Sequence, residues 1–376
     1  MTTTLSLNPE NIDHQCLFIS QLPIPSAGVS LRSSNPNLFT QTRPPKFLNE
    51  AQIGLTKNPP QLCDEGTGGT YFLSNLQNKN VAVFKPADED PLSFNNPKYS
   101  SEHLPHFKGI LAGEGASREV FAYEIDQGFA KIPETLMVTI SHWVFTGQEA
   151  LKQKQGSFQK FVSNTKGTAE EFGSSLFSVE DVHRIAMLDL LLVNCDRNGG
   201  NFLVTNDNQL VPIDHSFCLP DYRFLSDLQW FEWMNWRQSK LPISESAKQF
   251  LFDFDISSAI KKARLLNIRE ECIWTMRLSH SFLLNAVRSG KNLYEIGKLM
   301  CSASSSNPSV FASAVMQAVT KLKLLPDFNQ LQYITDNPHF HQLTADSTQL
   351  FLLLFVLQLH IISVFIETVF SVSQLS

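Results

Sequence analysis

This 376-residue chain has no C-x-x-C pair among its cysteines, no surplus of basic charge and no basic-then-apolar run at Met1–Leu5. Its six cysteines (Cys16, Cys63, Cys195, Cys218, Cys272, Cys301) never fall in a C-x-x-C pair. Neither a zinc site nor a disulfide framework is indicated, and a reducing, cytoplasmic compartment is expected. Lys and Arg number 30 against 36 Asp and Glu, a formal net charge of −6. That balance leaves no electrostatic footprint for nucleic acid and no general attraction to anionic membranes. Met1-Thr2-Thr3-Thr4-Leu5 carries no basic region leading into an apolar run, so no secretory signal is expected. No internal repeat occurs.

What is present changes texture along the chain. Residues 1 to about 60 are rich in Ser, Thr, Asn, Gln and Pro and read as a disordered arm, because such segments bury too little apolar surface to offset chain entropy. From Gln61 the runs Thr70-Tyr71-Phe72-Leu73 and Val81-Ala82-Val83-Phe84-Lys85 have the look of two strands of a hairpin. After Leu176 the pattern turns helical. Ser178 caps a helix with Glu180 and Asp181 in its first turn, and Val182, Ile185, Ala186 and 188–192 line its buried side. Strands first and helices afterwards imply an α+β, bilobal fold, with a small β-rich lobe and a larger, mainly helical one.

The sharpest signal is Asp196-Arg197-Asn198-Gly199-Gly200-Asn201, followed after a short hairpin by Asp214. Phosphoryl transfer needs one carboxylate to meet the attacking hydroxyl, plus an amide oxygen and a second carboxylate to hold Mg²⁺. Here Asn194-Cys195 leads out of a helix into the loop, Phe202-Leu203-Val204 forms a strand, Asn206-Asp207-Asn208 turns, and 210–213 returns to Asp214. Upstream, Glu65-Gly66-Thr67-Gly68-Gly69-Thr70-Tyr71 is a glycine-rich turn that lets backbone N–H groups approach phosphate oxygens; an ordinary hairpin loop is the alternative. Lys85 closes an apolar strand, where an ATP phosphate would offset its desolvation, unless it is an edge-strand charge that blocks aggregation. Glu119, in the helical stretch 115–123, is the candidate partner for Lys85, with Glu114 and Glu124 as competitors.

These motifs, together with V-A-V-F-K-P-A-D-E-D-P (81–91), G-E-G-A-S-R-E-V-F-A-Y (113–123), G-S-F-Q-K-F-V (156–162), V-H-R-I-A-M-L-D (182–189), P-I-D-H-S-F-C-L-P (212–220) and W-F-E-W-M-N-W-R-Q-S-K-L-P (230–242), resemble the phosphatidylinositol 3-/4-kinase superfamily. Within it the chain is most similar to the type II phosphatidylinositol 4-kinases of the plant-type gamma group. The resemblance implies a kinase catalytic domain over 61–305, a linker or helical extension over 306–348 and a hydrophobic segment over 349–376. It implies that Gly66, Thr67, Gly68 and Gly69 cover the ATP phosphates, that Lys85 binds them and that Glu119 orients the lysine. Asp196 would be the catalytic aspartate, and Asn201 and Asp214 the Mg²⁺ ligands. Arg237 and Lys240 would meet the acceptor, and the adenine hinge would fall just before Gly156.

Two residues depart from the family pattern D-R-H-A-G-N and Asp-His-Gly. Asn198 stands where the histidine does, and it donates a hydrogen bond without titrating. Ser216 stands where the glycine does, and it would need φ > 0 if that glycine serves the backbone. The cysteine-rich palmitoylation stretch of animal type II enzymes is absent.

The expected activity is ATP- and Mg²⁺-dependent transfer to the inositol 4-hydroxyl of phosphatidylinositol. A protein serine/threonine kinase on the same scaffold, or a weakly active nucleotide-binding module, are the alternatives. The acceptor is therefore phosphatidylinositol or a protein, with peripheral membrane association and no nucleic acid. Three membrane questions follow from the sequence. The basic and apolar stretch Ile260–Leu266 is either a solvated helix or a membrane-surface one. Trp230, Phe231, Trp233 and Trp236 either meet lipid or pack beneath the acceptor segment. Leu350–Ile366 is a tail anchor, a segment buried on the helical lobe, or an addition to the common fold.

Overall fold

The computed structural model describes residues 18–21, 44–91, 93–99, 108–142, 144–145 and 153–323. These fall into two compact units. Of the described residues, the first takes in those up to 99, those within 111–166, and 261–267; the second takes in 108–110, 167–260 and 268–323.

The first unit is built on a six-stranded sheet of β1 (Phe18–Gln21), β2 (Gln61–Leu62), β3 (Tyr71–Ser74), β4 (Asn80–Pro86), β5 (Thr135–Ser141) and β6 (Gln153–Lys160). Its spatial order is β1-β5-β6-β4-β3-β2. The β3–β4 hairpin forms as expected. Asn75 makes its turn, with Oδ1 accepting from the amides of Gln77 and Lys79, and Asn78 takes a left-handed φ of 58°. Alternation along β4 sends Ala82, Phe84 and Pro86 into the buried side and Lys85 to the opposite face. Because β4 lies between β6 and β3, Lys85 is on a central strand, and the edge-strand reading of its charge fails.

Helix α1 (Lys46–Gly54) covers the buried face. Phe47, Leu48 and Ala51, with Leu55 just beyond, pack with Tyr71, Leu73, Phe84, Val138, Ile140 and Phe158, and the Phe47 and Phe158 rings stack at 5.3 Å. This corrects the expected disordered arm to residue 60. Four apolar side chains at helical spacing supply the burial that the Ser- and Asn-rich sequence before them lacks. Residues 1–17 and 22–43 lie outside the described residues. Helix α2 (Gly115–Asp126) carries Glu119.

The expected hinge is also corrected. The stretch just before Gly156 is itself strand: Gln153–Gln159 pairs with β5, and Gly156–Lys160 also pairs with β4.

The second unit is mainly helical. It holds α3 (Val179–Leu192), α4 (Glu245–Asp253), the first half of α5 (Ile256–Leu265), α6 (Glu270–Arg288), α7 (Leu293–Met300) and α8 (Val310–Lys323). The basic stretch at 260–266 is thus the second half of a helix that starts earlier, and its Lys262 pairs with Glu124. A small sheet, β7 (Thr165–Thr168), β8 (Phe202–Thr205) and β9 (Leu210–Pro212), begins where the chain enters this unit. Ser178 caps α3 by accepting from the Asp181 amide, and the predicted positions from Val182 to Leu192 are buried. In the 306–348 stretch, α8 sets Phe311 against Phe282 in the core, ring to ring at 5.2 Å. Among the described residues no helix is long and apolar enough to cross a membrane; 350–366 lies outside them.

Candidate active site

In the first unit, Lys85 Nζ meets Glu119 Oε1 at 2.5 Å, with Glu119 almost wholly buried. The two competing glutamates are engaged elsewhere, Glu114 with Arg118 and Glu124 with Lys262. The choice needed three dimensions, because all three glutamates share one helical stretch and spacing could not rank them. The acidic triplet just after Lys85 fixes what surrounds it. Asp88 pairs with buried Lys154. Glu89, fully buried, accepts from the Tyr71 hydroxyl at 2.7 Å and faces Lys154 at 3.3 Å. Burial pushes both the Glu89 carboxyl and the Tyr71 phenol up. Asp90 accepts from the amides of Gly113 and Gly115, anchoring the start of α2 through the helix N-terminus.

The glycine-rich turn is tied to the same segment. Gly66 takes a φ of 74°. A Cβ at Gly69 would come within 2.2 Å of the Glu89 carboxylate, so only glycine fits there. The Gly69 amide is already given to the Glu89 carbonyl at 2.8 Å. The phosphate-covering role expected of Gly69 therefore cannot use that N–H in this arrangement. Asn96 and Lys98, which no sequence signal singled out, hold the turn from outside. Asn96 donates to the Thr67 carbonyl and Lys98 to those of Glu65 and Gly66. Gly68 packs beside Pro91.

In the second unit, α3 ends in the left-handed Val193, which turns the chain into the Asp196–Asn201 loop. Asn201 donates to the Asp196 carbonyl at 2.7 Å, and its amide lies 3.5 Å from Asp196 Oδ2. Asn198 donates to Asp196 Oδ1 at 3.1 Å. Burial first, and then the charge of Asp214, hold the Asp196 carboxyl above the usual aspartate range. The loop and the segment before Asp214 are thus side by side. Asp214 itself adopts φ 56°, while Ser216 stays out of the left-handed region. The strain expected at 216 is absent, and the unusual backbone sits two residues earlier. The Ser216 hydroxyl donates to Asp214 Oδ1 at 2.6 Å.

Arg197 joins these parts. Its Nε donates to both Asp189 oxygens at 3.0 Å, Nη1 to the carbonyls of Asn201 and Ile213, and Nη2 meets His215 Nε2 at 2.9 Å. Asp189 also accepts from Trp233 Nε1 and Asn194. The aromatic segment is therefore packing: Phe231, Trp233 and Trp236 are buried, and Trp230 stays partly exposed. Arg237 and Lys240 lie exposed on the following turn, with Lys240 over the Tyr294 ring at 4.8 Å.

Oxygen donors from Asn201 and Asp214, next to a second carboxylate whose charge Asp214 opposes, fit a hard divalent cation. Among the described residues no group of three His, Cys, Asp or Glu is placed to hold a metal ion by itself. None of the five described cysteines is in a disulfide, and burial pushes the Cys301 thiol up to about 12.

Comparison with known proteins adds sequence relationships. Residues 66–296 match the profile of the family described as phosphatidylinositol 3- and 4-kinase. The chain is 37% identical to phosphatidylinositol 4-kinase gamma 4 of Arabidopsis thaliana, over 72% of this chain and 52% of that protein. It is 38% identical to the Arabidopsis gamma 8 protein, over 64% and 49%, and 33% identical to gamma 4 of Oryza sativa subsp. japonica, over 75% and 52%. The chain spans about half the length of the curated relatives it matches. A MAP kinase from Leishmania major aligns over 66% of this chain and 84% of its own, at 10% identity and a TM-score of 0.26.

Proposed function

Because the chain belongs to the phosphatidylinositol 3- and 4-kinase family, we propose that it transfers the γ-phosphate of ATP to the inositol 4-hydroxyl of phosphatidylinositol. The observation that carries this reading is Asp196 placed beside Asp214 and Asn201, a carboxylate raised in proton affinity by burial and by its neighbour. Asp196 receives the proton of the attacking hydroxyl, and a raised pKa suits a base that must take one up. Asn201 and Asp214 hold Mg²⁺, which when bound neutralises phosphate charge. Within the first unit, Lys85, oriented by Glu119, is the cation suited to a phosphate. Arg237 and Lys240, both exposed, attract the anionic headgroup at a cytoplasmic membrane surface.

The test offers purified protein and Mg-ATP either phosphatidylinositol in mixed micelles or a generic protein acceptor, with Asp196→Asn as control. Labelled phosphatidylinositol 4-phosphate that disappears in the control is expected. Labelling of protein alone would move the acceptor from lipid to a hydroxyl side chain. ATP binding with no transfer to either would defeat the reading.

A further inference from the structure

Asp214 is held in two separate ways. Arg197 fixes the backbone on either side of it, donating to the Ile213 carbonyl at 2.8 Å and meeting the buried His215 ring at 2.9 Å. Between these anchors Asp214 adopts φ 56°, a left-handed conformation that non-glycine residues adopt sparingly and Asp tolerates better than most. The carboxylate has its own restraint, the Ser216 hydroxyl at 2.6 Å on Oδ1. A hydroxyl-to-carboxylate bond this short is in the strong, charge-assisted class. It restrains the carboxylate through one of its two oxygens. The glycine of the family pattern at this position has no such donor.

We propose that Ser216 is a positioning residue for the divalent cation. Its hydroxyl sets the rotamer of the Asp214 carboxylate and so the affinity of the cation site. The proposal rests on the phosphotransfer reading, because it takes Asp214 to be a ligand. Hydrogen bonds to ligating carboxylates orient them, and losing such a partner weakens metal binding by about 10–100-fold.

The decisive measurement is Mn²⁺ binding to the full chain by electron paramagnetic resonance, with no nucleotide and no turnover. Ser216→Ala is expected to weaken Mn²⁺ at least tenfold or so, Ser216→Gly equally, and Ser216→Thr, which keeps the hydroxyl, to stay near the parent protein. In the activity assay the apparent cation constant should rise in Ser216→Ala while kcat at saturating Mn²⁺ recovers. A purely structural role would instead lower the melting temperature and leave that constant alone. Should Ser216→Ala unfold, Ser216→Gly against Ser216→Thr makes the same comparison. Asp214→Asn separates the two levels of the argument. If it abolishes Mn²⁺ binding while Ser216→Ala changes nothing, the role of Ser216 is overturned and the cation site stands. If Asp214→Asn leaves Mn²⁺ binding intact, the ligand assignment falls and this proposal with it.

Discussion

Each unit contains a buried acidic group paired with a basic one, and the pairs differ in how completely they are enclosed. In the first unit Lys85 keeps 22% of its side chain exposed and meets Glu119, which is 2% exposed, at 2.5 Å. In the second, Arg197 and Asp189 are 0% and 1% exposed, and the guanidinium spends all three nitrogens on protein partners. A cation with an open flank can take on a further anion. A guanidinium committed on every side can only hold shape. We read the first pair as equipment for a ligand and the second as a brace for the loop that does the chemistry.

The comparison can be broken or sharpened in four ways. The largest effect should come from Asp196→Asn, at the carboxylate proposed as the base: transfer is expected to fall by about 10²–10⁴-fold. The same substitution should raise the melting temperature of the cation-free protein at neutral pH. Burial and Asp214 raise the Asp196 pKa in the fold above its unfolded value. Its ionised form is therefore penalised in the native state above the folded pKa, and that penalty vanishes below the unfolded pKa. A melting temperature that drops at neutral pH would contradict the assignment.

Next, Arg197→Met should cost about 3–5 kcal/mol of stability by leaving Asp189 buried and uncompensated, measured by urea unfolding. A cost below about 1 kcal/mol would show that the brace is dispensable and merge the two classes of pair. Third, Lys85→Met should lower kcat/KM for ATP by about 10²-fold or more while the protein remains cooperatively folded; turnover equal to the parent would remove Lys85 from the phosphate site. The smallest effect belongs to Tyr71→Phe. Loss of its bond to Glu89 should cost about 1–2 kcal/mol, with catalytic rates nearly unchanged.

Much of this architecture is legible from residues alone where local signals are strong. The capped helix from Ser178, the 202–213 hairpin and the Val81–Lys85 strand all sit where their patterns place them. Asp196, Asn201 and Asp214 come together because one loop and one hairpin carry them. What resists reading is set by contacts between distant segments. The helix at 46–54 hides behind a Ser- and Asn-rich stretch, because its apolar residues matter only against the sheet they cover. The choice of Glu119 over Glu114 and Glu124, the clamp of Asn96 and Lys98 on the glycine-rich turn, and the saturation of Arg197 depend on side chains far apart in the chain. The hinge, carried over from the resemblance to a place just before Gly156, falls instead within a paired strand, because sheet pairing joins segments distant in the chain.

One contact in the catalytic loop limits how this protein can be re-engineered. Gly200 donates its amide to Glu170 at 3.0 Å, and a Cβ at Gly199 would lie 2.6 Å from Glu170 Cγ. Swapping in the family pattern D-R-H-A-G-N would thus introduce an alanine methyl where Glu170 already lies. Such a graft should succeed only with a smaller residue at 170, and a double-mutant cycle between 170 and 199 should be strongly non-additive.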